Sequence, residues 1–147
     1  MKKIIFLILT VSFCWNIGYC QCNHLILNDL MSIYKLNLEG REDFLIAKRF
    51  EFIETRNGRK LFGKCKNLLA GEDDYRQYIL ISDSTVQYTT ESSESYLAVK
   101  TIVKQKYKQK IIDSDMIVYS NGKVLFQFSV ENSQGQPLYF IFLTDDF

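Results

Sequence analysis

Histidine and proline are almost missing from this chain: His24 and Pro137 are the only examples of each. A nucleophilic triad would therefore depend on one ring, and His24 sits near an N-terminus, where chains fray and the residue reads as surface or tail. A single proline and no low-complexity stretch leave no linker signal, so no domain boundary is read after the first 20 residues. Gly-x-Ser-x-Gly, His-Glu-x-x-His, Cys-x-x-Cys and a Gly-rich phosphate loop are all absent. No cofactor, metal site or catalytic residue is expected from motif.

Charge of one sign is also lacking. The chain has 18 basic and 17 acidic residues, and losing Lys2 and Lys3 turns this into a slight acidic excess. That balance argues against nucleic acid as a partner. Long hydrophobic runs are limited to Ile4–Trp15, which is shorter than the roughly 20 residues a spanning helix needs.

What is present begins with that run. Met1-Lys2-Lys3 followed by an apolar core reads as a secretory signal over residues 1–20. Gly18 and Cys20 suit cleavage before Gln21. The expected product is a single α+β domain over 21–147, secreted or periplasmic, with lipoprotein processing as the minority alternative because Tyr19, Gln21 and Phe13 are poor residues before a lipidated cysteine. Cleavage removes Cys14 and Cys20. Cys22 and Cys65 remain and are expected to form a disulfide in an oxidising compartment, a reactive or metal-binding Cys/His pair with His24 being the alternative. Cys65 alternates with Leu61 and Gly63 and is expected on their face of a strand.

Leu27, Leu30, Met31 and Tyr34 recur at helical spacing, with Asn28 or Asp29 as cap. Asn37 caps a second segment with Leu38, Phe44, Leu45 and Ala47 as its apolar side. A third helix starts after Ser92-Ser93, with Tyr96, Val99 and Val103 as its buried stripe and Leu97 and Ile102 beside it. The remainder alternates as strands. Asn57-Gly58 and Asn121-Gly122 each separate two such runs, and a type I′ hairpin is expected at both because Asn-Gly accepts positive φ twice. A further strand pair flanks Asp83-Ser84. Val124, Phe126, Phe128 and Val130 face one way along a later strand. Leu138–Leu143 is apolar on both sides, so it is expected to be central and covered on both faces. The fold class is thus α+β, with two or three helices on one face of an antiparallel sheet.

The two Asn-Gly segments match at Asn, Gly, a basic residue, Leu and Phe, and Phe44–Lys48 parallels Tyr96–Lys100. Each half is a candidate helix-plus-meander unit, the second carrying an insertion. Tandem helical units followed by antiparallel sheet resemble, in architecture, secreted β-lactamase-inhibitor proteins. No motif accompanies the resemblance and no residue role is carried across.

Three acidic pairs or runs, Glu72-Asp73-Asp74, Asp113/Asp115 and Asp145/Asp146, lack the alternating spacing that wraps a cation and read as solvated loops. Lys100, Lys104 and Lys108 fall at i, i+4, i+8, with Lys106 and Lys110 nearby, a basic stripe if one helix runs that far. Tyr75, Tyr78, Tyr88, Tyr119 and Tyr139 lie on or near strands, where tyrosine suits both a sheet and an interface. Tyr78, Tyr88, Lys100, Lys104 and Lys108 are the candidate partner-binding residues. The expected function is a non-enzymatic exported binding protein, inhibitor- or immunity-like, meeting another protein or an envelope component. The alternatives are an exported hydrolase using dispersed carboxylates and a passive structural envelope protein.

Overall fold

The computed structural model describes residues 22–66, 74–113, 116–133 and 135–146. The expected signal segment, its cleavage site before Gln21, and Glu72, Asp73 and Asp115 lie outside them.

Two short helices come first, α1 (Leu27–Lys35) and α2 (Leu38–Ala47). A meander of four strands follows: β1 (Glu51–Arg56), β2 (Arg59–Lys66), β3 (Tyr75–Ile81) and β4 (Thr85–Thr90). Helix α3 (Ser93–Lys106) leads into a second meander of β5 (Lys108–Asp113), β6 (Met116–Ser120), β7 (Val124–Ser133) and β8 (Gln136–Asp145). All eight strands form one antiparallel sheet in the order β1-β2-β3-β4-β8-β7-β6-β5. Each meander therefore runs inward from an edge, and the two meet where β4 pairs with β8, from Thr85↔Thr144 to Thr90↔Tyr139.

Register sorts the side chains. Phe62, Ile79, Tyr88, Ile141 and Phe128 form one row across the sheet, and Ile81, Val86, Leu143, Phe126 and Tyr119 form another. Both rows belong to a single core with Leu27, Leu30, Ile33, Leu45, Tyr96, Val99 and Val103 from the helices. All three described helices thus pack on one face, α1 over β4 and α3 over β4 and β8. Burying these rows is the main source of stability, at roughly 25 cal/mol per Å² of apolar surface.

The caps follow local chemistry. Asn37 and Ser92 side chains accept from the amides of Gly40 and Ser95, closing the starts of α2 and α3. The cap of α1 is Ile26, not Asn28 or Asp29; Asp29 acts from the third helical position, its carboxylate accepting the Ile26 amide at 3.2 Å. Of the expected apolar side of α2, Leu45 is buried and Leu38 and Phe44 pack against the core, but Ala47 is exposed and, unexpectedly, Arg41 is buried.

The turns differ from each other. Asn57 and Gly58 both have positive φ, 51° and 74°, joining β1 to β2 as a two-residue type I′ hairpin requires. At the second turn only Gly122 is positive. There Asn121 uses its side-chain oxygen to accept from the Lys123 and Val124 amides, so the carboxamide closes a longer loop and its own backbone has no need of left-handed φ. The two turns also hold different places, β1–β2 in one meander and β6–β7 in the other. The halves repeat as helix then meander, but not in the alignment that the Asn-Gly match implied. Finally, β8 is central, yet among the described residues the helices cover only one of its faces: Phe140 and Phe142 point away from them and are half-buried.

Candidate binding surface

An eight-stranded sheet with helices on one side has a second face. Its central row is Leu61, Leu80, Gln87, Phe142, Gln127, Val118 and Lys110, and the next is Gly63, Tyr78, Thr89, Phe140 and Ser129. No described helix covers these rows. Leu61, Tyr78, Leu80, Leu125, Phe140 and Phe142 are all half-buried, and Val118 is fully buried. Polar residues occupy such positions on a solvated antiparallel face; here large apolar and aromatic side chains hold its middle.

Tyr75 enlarges this surface by breaking alternation. Cys65 has φ of +61°, a left-handed conformation inside β2. Its sulfur consequently turns to the helix side, where it bonds Cys22 with Cα atoms 5.8 Å apart and lies near Gln77. Cys65 thus does not share the face of Leu61 and Gly63, as alternation implied. Across from this irregularity the Tyr75 ring lies over Gly63, edge-on to Tyr78 at 5.9 Å, and its hydroxyl donates to Glu51 at 2.9 Å. The Tyr75 amide donates to the Tyr78 hydroxyl. A pocket of about 340 Å³ beside this pair is lined by Asp74, Arg76, Thr89, Glu91 and Leu138 as well as the two rings.

The other candidate residues do not converge on it. Tyr88 is fully buried on the helix side, donating to Gln77 Oε1 at 2.7 Å and accepting from the Leu25 amide at 3.4 Å. Burial pushes its hydroxyl pKa well up. It is a core residue and presents nothing to a partner. Lys100 is half-buried on α3, donating to the Tyr96 hydroxyl and lying over the Tyr96 and Phe128 rings. Lys104 is exposed on the same helix. Helix α3 stops at Lys106, so the basic stripe is cut: Lys108 belongs to β5, opposite Ser120 on the open face of the sheet.

The disulfide organises the N-terminal segment. Cys22 holds residues 22–27 across the sheet, and His24 sits with Nδ1 3.2 Å from Thr90 Oγ1 and 3.5 Å from the Tyr88 hydroxyl. His24 is therefore a tethered, half-buried residue and not a frayed tail. Burial and, second, the nearby Lys64 ammonium lower its pKa, while Glu94 opposes them. An open groove of about 770 Å³ runs between this segment and α3.

Of the acidic pairs, Asp145 and Asp146 are engaged in the fold. Asp146 accepts from Lys110 and Ser120, which hold its carboxyl below the ordinary range, and Asp145 accepts from Tyr34. Burial and that hydrogen bond push the Tyr34 pKa up to about 12. Among the described residues no three His, Cys, Asp or Glu side chains gather where they would hold a metal ion. Arg41 is the residue that sequence reasoning missed. It is buried, and its guanidinium donates to the carbonyls of Ile33, Tyr34, Leu36, Ser82 and Thr85. That role closes the end of α1 against the β3–β4 turn. Compared with protein-family models, curated proteins and solved structures, the chain matches none.

Proposed function

We propose that this is an exported, non-enzymatic binding protein, inhibitor- or immunity-like, that meets another protein through the open face of its sheet. The observation that carries the reading is the apolar middle of that face: Leu80, Phe140, Phe142 and Tyr78 lie where no described helix covers them. Aromatic side chains bury large area at low entropy cost, and clustered exposed apolar surface is a mark of interaction sites. Export to the secreted or periplasmic fraction rests on the basic-then-apolar start of the chain, and the Cys22–Cys65 bond is compatible with an oxidising compartment.

The test is affinity capture from an envelope extract by residues 21–147, run beside the double variant Tyr78→Ser and Phe142→Ser. A protein retained by the native surface and lost at least tenfold from the variant is the expected result, with circular dichroism showing both folded. Equal retention by the two would place binding elsewhere, and retention of no protein by either would remove the proposal.

A further inference from the structure

Helix α2 ends on a residue that its own geometry disfavours. The Phe50 amide donates to the Leu45 carbonyl and the Arg49 amide to the Ile46 carbonyl, each at 2.9 Å, the pair of bonds that makes a Schellman end. Such an end needs left-handed backbone at Arg49, whose φ is +65°. Glycine takes that conformation without strain, whereas a side chain there costs stability. Among the described residues two other non-glycines have positive φ: Asn57, in its hairpin turn, and Cys65, inside β2. Arg49 and Cys65 border the same pocket, of about 490 Å³, on the helix side of the sheet. Residues held in such conformations gather at ligand sites. The pocket is also cationic. Lys48 and Arg49 from the end of α2 and Lys64 from β2 line it, and Asp29 is the one carboxylate among its lining residues. Lys48 Nζ lies 2.8 Å from Asp29 and over the Phe44 ring; Lys64 Nζ donates to the Asn23 carbonyl at 2.9 Å and lies over the Phe50 ring. The Arg49 guanidinium is exposed and forms no ion pair among the described residues. A cation at a helix C-terminus serves the dipole, but Lys48 at the cap already does so. Arg49 adds strain that this service does not require.

We propose that this pocket binds a small organic dianion, a phosphate monoester or a dicarboxylate, with the Arg49 fork on one oxyanion group. Lys48, Arg49 and Lys64 less Asp29 leave an excess of positive charge that a dianion neutralises. A guanidinium grips either kind of oxyanion with two parallel N–H donors. Leu25 and Ala47 supply apolar wall for a short carbon body, and the volume is that of a small-molecule site. No lining residue belongs to the open face of the sheet, so this inference stands apart from the proposed function.

The chain supplies its own reporter. His24 lines the same pocket and is the only histidine, so its ring resonance is unambiguous. Burial and, second, Lys64 lower its pKa while Glu94 opposes them, and an anion bound beside Lys64 should raise it. The experiment is a proton NMR titration of the disulfide-bonded protein with glycerol 3-phosphate and, separately, succinate, each up to about 10 mM, tenfold above a millimolar dissociation constant. Sodium chloride at matched ionic strength is the blank. At least one probe should raise the His24 pKa above the blank and saturate, and the stronger response names the oxyanion. Arg49→Gly should raise the urea midpoint, because it relieves the backbone, yet weaken binding of that probe at least tenfold. Lys123→Ala, an exposed cation in the β6–β7 loop, should change neither. A His24 pKa that follows sodium chloride equally, no saturation with either probe, binding retained by Arg49→Gly or lost from Lys123→Ala, or a lower midpoint in Arg49→Gly would each overturn the proposal.

Discussion

Two residues carry more than their types suggest. Gly63 has ordinary extended backbone; what it lacks is room. A Cβ there would lie 2.5 Å from Tyr75 Cγ, and Tyr75 is itself buried. Gly63→Ala is expected to cost about 1–3 kcal/mol, as overpacking does, measured as a lower midpoint in urea. An unchanged midpoint would mean that the Tyr75 ring moves freely. Arg41 satisfies five backbone carbonyls at one buried point. Removing the guanidinium strands some of these, so Arg41→Ala should lose about 3 kcal/mol, on the scale of charged hydrogen bonds and unsatisfied buried groups. Arg41→Lys should recover little, because one ammonium cannot replace a fork of donors. Neither role was legible in the sequence: a glycine in an alternating run and an arginine in a helix are individually unremarkable until the partner from another element is known.

Among the elements, legibility tracked locality. The helix cap at Asn37, the helix start after Ser92-Ser93, the stripe of Tyr96, Val99 and Val103, and the Asn57-Gly58 hairpin all depend on residues within one turn or one strand, and each was readable. Strand β5 was not, because Lys108–Asp113 follows α3 after one residue and its lysines continue the helical spacing; pairing with β6 overrides that pattern. The inverted side of Cys65 was hidden for the same reason, since its left-handed φ and its partner Cys22 lie outside what strand alternation can read. The N-terminal segment invites a pH test. With the His24 pKa lowered on folding, the unfolded chain takes the proton first as pH falls. The neutral-ring contribution is fully present above the ordinary value of 6.5 and is lost as pH drops through the lower folded value. Hydrogen-exchange protection of the amides from Leu25 to Leu27 should therefore decline below that value in the native protein and stay flat in His24→Asn. Matching profiles in the two would assign the loosening to another group.

At the scale of the whole molecule, the apolar open face could be read only in part from sequence. Leu138–Leu143 announced a strand apolar on both sides, and the inference of two covering layers followed; among the described residues the helices supply one layer only. The order of the strands has a further consequence. Seven pairings join the eight strands, and six of them link neighbours along the chain; the seam of β4 to β8 alone ties Thr85 to Thr144. Hairpins close in microseconds, whereas distant closure is slow because loop entropy is lost before contact is gained. The seam's later partner, β8, is also the last of the eight described strands along the chain. Either meander can form from local hairpins alone, but the core they share closes only when β8 finds β4, so a single long-range pairing completes the sheet.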